Sequence, residues 1–184
     1  MPHRALSAVG LEVFNLVVTY HNDAPEPVAG KPVSNDEVLQ GFQHVHARAQ
    51  NIIRHGRNWK LWVLCDRDPT ERWVDGRVAL LGDAAHPMLQ YFAQGACQAM
   101  EDAVCLSHML GTYPDDHVTA LEKYRQQRFP RTARVQLLSR AIGEHIYHPA
   151  GEHARLRNAI MRAKTSEDYY RDLAWLYGGT GLAS

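Results

Sequence analysis

Cysteine is scarce in this 184-residue chain: Cys65, Cys97 and Cys105 are an odd set with no C-x-x-C spacing. That argues against a disulfide framework and fits reduced thiols in the cytoplasm. Net charge is also missing, because 20 Lys and Arg balance 20 Asp and Glu. Nothing in the overall balance favours nucleic acid or an acidic membrane as a partner. No amino-terminal apolar segment of signal-peptide type and no apolar run of spanning length is present, which predicts a soluble, unexported protein. Internal repeats and low-complexity tracts are absent too. His145, His148 and His153 surround a helix break without acidic or thiol partners at suitable spacing, so no metal site is predicted.

What is present is globular: 45% hydrophobic and 22% charged residues, enough chain for a domain with a sizeable core. The most informative stretch is Gly76 to Ala103, GRVALLGDAAHPMLQYFAQGACQAMEDA. Val78 to Leu81 is apolar without alternation, which predicts a strand buried on both faces, as in a parallel sheet. Gly82 ends that strand and sets Asp83 at its carboxyl end, where open α/β sheets place ligands. After the loop around Pro87, Gln94-Gly95-Ala96 leads into a helix. A small-residue turn at a helix start lets backbone N–H groups approach an electron-rich ligand. The stretch reads as a strand, loop and helix that grip a small polar or anionic molecule.

GRVALLGDAAHP followed by QGACQAMEDA resembles the second flavin-binding motif of single-component FAD-dependent aromatic hydroxylases. Asp66-Arg67-Asp68-Pro69 and Trp73 match the usual approach to that motif. Within the family, PMLQYFAQGAC is most similar to the 3-hydroxybenzoate 6-hydroxylase branch, with salicylate hydroxylases as the neighbouring alternative. The resemblance runs from about Leu11 to Trp175 and is sharpest between Trp62 and Ala103. The fold it implies is α/β: a mixed α+β portion of the FAD/NAD(P)-binding aromatic-hydroxylase fold, with few strands followed by a mostly helical carboxyl-terminal half.

The family implies a pyrophosphate-binding G-x-G-x-x-G turn near its amino end, and none occurs here. The chain is therefore expected to be the carboxyl-terminal portion of such an enzyme, with weak FAD affinity by itself. Residues 1–75 are expected to belong to a substrate-binding sheet with one helix, 76–112 to the second FAD motif and 113–184 to the closing helices, as one compact unit. The implied chemistry uses FAD, reduced by NADH or NADPH, with oxygen and a small phenolic acid as substrates. A homodimer or an absent amino-terminal half is the implied partner. The alternative is a non-catalytic module acting at most in interaction or dimerisation.

The resemblance assigns Asp83, beside Gly82, to the flavin ribityl chain; a solvated cap is the plainer alternative. Gln94, Gly95 and Ala96 would set backbone N–H groups against the pyrimidine edge of the isoalloxazine, stabilising charge that develops on reduction. Pro87 would shape the loop beside the ring. Gln90 is the candidate catalytic residue on the substrate side, with an exposed loop glutamine as the alternative. His3 and His21 flank the first strand, near the substrate-side histidine of the branch, and His21 is the second catalytic candidate. His86 reads as a packed, hydrogen-bonding residue. Arg125, Arg128, Arg131 and Arg134 recur every three residues, as a solvated face or as contacts to neighbouring helices. Asp66 and Arg67 support the flavin pocket, or form a local ion pair.

Local signals order the rest. Leu11 to Tyr20 reads as a strand and the Pro-containing segment after it as a loop. Ser34 with Glu37 is a capping box that starts a helix running to about Arg54. Trp59 to Leu64 alternates as a strand. A helix over 99–110 should stop at Gly111, and Asp115-Asp116 should cap the next one, which Pro130 should kink or divide. Two more helices are expected over about 151–163 and 166–176.

Overall fold

The computed structural model describes residues 15–20 and 26–180. The chain forms two compact units, Met1–Val63 and Leu64–Ser184, with the boundary inside the region expected to be a single substrate-side segment.

In the first unit, β1 (Ala29–Pro32) pairs antiparallel with β2 (Lys60–Trp62), so the segment after the Pro-containing loop is a strand that the sequence reading missed. Residues 15–20 carry no regular secondary structure, and the rest of the expected first strand lies outside the described residues. The capping box forms: Ser34 Oγ accepts the Glu37 N–H and the Glu37 carboxylate accepts the Ser34 N–H. The expected single helix is two, α1 (Asn35–Gly41) and α2 (Ala47–Arg54). His46 caps α2 by accepting the Arg48 N–H, and Gln50 Nε2 donates to the carbonyls of Gln43 and Val45 inside the break. These side chains satisfy the backbone groups that a continuous helix would have paired itself.

The second unit carries the central stretch. β3 (Val74–Asp75) and β4 (Val78–Ala79) form a short antiparallel hairpin whose turn uses Gly76 at φ +56°. The buried parallel strand expected over Val78–Leu81 is therefore corrected: the turn folds the run back on β3, and Val78 is 65% exposed. After it come α3 (Gly95–Thr112), α4 (His117–Ile142), α5 (Gly151–Ala163) and α6 (Ser166–Tyr177). Gly111 lies within α3, so the expected stop is displaced to Tyr113. Asp116 caps α4 as expected, accepting the Thr119 N–H at 3.0 Å. Pro130 does not divide α4. The missing N–H removes one bond of the ladder, while Thr132 Oγ1 donates to the Arg128 and Phe129 carbonyls and packing on α3 holds both sides of the proline.

The core of this unit joins Trp73, Ala85, Cys105 and Tyr124, with Val74, Ala79, Leu106, Met109 and Phe129 packed around them. Tyr124 Oη donates to the Leu80 carbonyl at 3.1 Å, fixing the end of the hairpin against α4. Few strands followed by a mostly helical half is the architecture expected from the sequence.

Candidate functional site

The hairpin leads through Leu80 and Leu81 into a 3-10 turn, Gly82–Ala84. Gly82 has φ +60°, and a Cβ there would stand 3.2 Å from the Ala99 Cβ of α3. Both observations favour glycine: the backbone is left-handed and the helix lies close. The buried Gly82 N–H donates to Asp102 Oδ2 at 3.0 Å. Asp83, the next residue, is exposed. Across the loop, a Cβ on Gly95 would lie 3.7 Å from Asp83 Oδ1. Asp83 and the α3 start thus meet, as the sequence order implied.

The loop between them is held from beneath. Arg67 donates to the carbonyls of Ala84 and Ala85 at 2.6 and 2.8 Å, and Gln136 on α4 donates to the carbonyls of Pro87 and Arg67. The pair Asp66-Arg67 is not a local ion pair. Asp66 binds Arg140 at 2.6 Å, and Arg67 acts on the loop backbone. Gln90 opens a 3-10 turn, Gln90–Phe92, and is exposed. Tyr91 in the same turn is turned inward: its hydroxyl lies 2.8 Å from His148 Nε2, and its ring packs on Tyr147 and Gly143. Burial raises the Tyr91 phenol above its ordinary range. Gly143–Tyr147 is a π-helical turn at the end of α4, a feature that often accompanies functional sites. His21 lies outside the described residues.

Beneath the site is a buried charge network that the sequence reading did not anticipate. His86 and Asp102 are both fully buried, with Nε2 2.5 Å from Oδ2. Arg128 Nε donates to Asp102 Oδ1 at 2.7 Å, and its other nitrogens reach Glu101 and Gln98. Arg131 closes the set with two hydrogen bonds to the Glu101 carboxylate. Burial works against the charge on Asp102 and Glu101, but the hydrogen bonds from His86 and Arg128, and from Arg131 and Arg128, outweigh it. Both carboxyls sit below their ordinary range. The arginine stripe is therefore largely contact with other elements: Arg125 pairs with Glu71, and with Glu122 on its own helix, and Arg134 stacks 3.8 Å over the Trp175 ring. One signal for this was available, since Glu101-Asp102 on α3 matches cations spaced by three on α4.

The donor set fits a flavin. The exposed carboxylate of Asp83 in the 3-10 turn can accept from hydroxyls, and the first-turn N–H groups of Gly95 and Ala96 have no intrahelical acceptors to spend them on. A ligand with hydroxyls at one end and carbonyl acceptors at the other satisfies both. Among the described residues there is no cluster suited to a metal ion and no helix long and apolar enough to cross a membrane.

The hairpin, the braced loop and the open helix start form a hairpin–loop–helix unit. Residues 12–139 match the family described as FAD binding domain. A 3-hydroxybenzoate 6-hydroxylase of Aquipseudomonas alcaligenes is 54% identical over 92% of this chain and 43% of its own length. The corresponding protein of Klebsiella oxytoca is 41% identical over 92% of this chain and 42% of its own. Among solved structures, a salicylate hydroxylase substrate complex matches with TM-score 0.63 and 31% identity, covering 88% of this chain and 38% of that one. Klebsiella pneumoniae HpxO complexed with FAD and uric acid matches with TM-score 0.66 and 27% identity, covering 76% and 36%. The chain belongs to the family described as FAD binding domain. It spans less than half the length of these relatives.

Proposed function

We propose that this chain is the flavin-edge and ribityl-binding part of an FAD-dependent monooxygenase that hydroxylates a phenolic acid such as 3-hydroxybenzoate, with NADH or NADPH as reductant. The observation that carries the reading is the meeting of Asp83 with the Gly95 helix start. FAD supplies the redox and oxygen chemistry when bound. Asp83, following Gly82, accepts from the ribityl hydroxyls. Gln94, Gly95 and Ala96 present backbone N–H groups to the pyrimidine edge, and preorganised donors of this kind favour charge that develops there. Pro87, tied to α4 through Gln136, sets the loop beside the ring.

Gln90 stands exposed on the same loop and is the residue proposed to hydrogen-bond the phenol oxygen. His21 is the proposed base for that phenol. Residues 76–112 are proposed as the binding segment, with the helices between 113 and 180 as its support. Val78, Met100 and Val104 are exposed apolar residues, and another portion of the enzyme or a second copy of the chain is proposed to cover them.

The test is an FAD titration of the purified chain followed by flavin fluorescence, with Asp83→Ala beside it. Saturable binding that the variant weakens is expected. Equal binding by both would remove Asp83 from the site. No binding by either would favour a non-catalytic module. In a binding-competent protein, Gln90→Leu should lower hydroxylation of 3-hydroxybenzoate while leaving FAD affinity unchanged.

A further inference from the structure

α6 lies beyond the residues that match the FAD-binding family, which end at 139. Its carboxyl end nevertheless reaches the turn that opens α3. Gln94 Nε2 donates to the Tyr177 hydroxyl at 3.1 Å, and Gln94 is 5% exposed. Arg131 donates to the carbonyls of Trp175 and Leu176 at 2.9 and 2.8 Å. These are last-turn carbonyls with no intrahelical donor, and a cation there also suits the helix dipole. The same guanidinium holds Glu101 on α3, the residue just before the Asp102 that binds Gly82. Trp175 is clasped by Arg134 on one side and lies 6.4 Å from the Phe92 ring on another. Most of α6 is exposed, Leu176 being buried at the end that carries these ties.

We propose that the carboxyl end of α6 is a positioning element for the flavin turn, with Tyr177 as the residue that orients Gln94. The proposal rests on the flavin reading of Gln94-Gly95-Ala96. The Gln94 side chain caps no backbone group of α3, so its torsions are set by what it meets in the fold. Tyr177, itself 67% exposed, supplies the acceptor for the amide. Arg131 and the packing of Trp175 hold the last turn of α6, the backbone that carries Tyr177. The peptide leading into the first-turn N–H groups is thereby held before a ligand arrives, and binding loses less to ordering.

The test compares the full 184-residue chain with Tyr177→Phe, and with Tyr170→Phe as a control on the same helix, where Tyr170 is 78% exposed. Amide hydrogen exchange over residues 90–98 is measured without FAD, and FAD affinity by fluorescence titration. Losing one neutral hydrogen bond should raise exchange at Gln94 to Cys97 severalfold and weaken FAD by about three- to tenfold. It should also shift the absorption band of bound flavin. Tyr170→Phe should change none of these. Unaltered exchange in Tyr177→Phe, or an equal change in both variants, would overturn the tie. Raised exchange with unaltered affinity would overturn its role toward the flavin. Failure of the unaltered chain to bind FAD would count against the flavin reading and the positioning role together, while exchange still decides the contact itself.

Discussion

His86 Nε2 and Asp102 Oδ2 stand 2.5 Å apart with both side chains sealed from solvent. Asp102 also accepts the Gly82 N–H, so one carboxylate fixes the start of the turn that carries Asp83 and the histidine three residues after it. The ring's Nδ1 is buried with no hydrogen-bond partner among the described residues. The pair works through position: it sets the loop from within and takes the role of a packed, hydrogen-bonding residue for His86.

Asp102→Asn should be strongly destabilising. Arg128 is 1% exposed, and loss of the carboxylate leaves part of its charge uncompensated in the interior. Breaking a buried pair from one side costs about 3–5 kcal/mol, with a visible loss in urea or thermal unfolding. A variant as stable as the parent chain would contradict the buried network.

Stability should fall in acid through the same groups. Asp102 and Glu101 are held below their ordinary values of 3.8 and 4.5, so their contribution is fully present above those values. It is lost as pH falls through the lower folded values, where protonation removes the charge that Arg128 and Arg131 bind. Unfolding temperature measured against pH should be flat just above 4.5 and drop below 3.8. Asp102→Asn should flatten part of that drop.

Gly143→Ala should disturb the loop that carries Gln90 and Tyr91. A Cβ at this position would fall 2.5 Å from Cδ2 of Tyr91, so the ring has to move and its contact with His148 is lost or bent. Overpacking of this sort costs about 1–3 kcal/mol. Adding Tyr91→Leu to the variant should lose less than the sum of the two single changes, a coupling read directly from unfolding curves.

Gly95→Val should impair FAD binding with the fold retained. Its side chain would grow toward Asp83, whose Oδ1 is 3.7 Å from the Cβ position, and would cover the ligand face of the turn. Circular dichroism should be unaltered while FAD affinity falls at least tenfold. Retained affinity would place the flavin elsewhere.

The sequence by itself determined the features that close within a few residues. Ser34 and Glu37 cap one helix and Asp116 caps another, because each satisfies its own neighbouring backbone. Tertiary structure decided what depends on a partner far along the chain. Val78 turned back onto Asp75 because Gly76 makes a tight reversal, although the apolar run alone also suits a buried parallel strand. The arginines of α4 found Glu101, Asp102 and the end of α6 only once α3 and α6 had packed on them. Gln94 meets Tyr177 across 83 residues. Periodicity shows which side of a helix faces inward, but the acceptor waiting for a buried guanidinium or amide is supplied by another element, and packing chooses it.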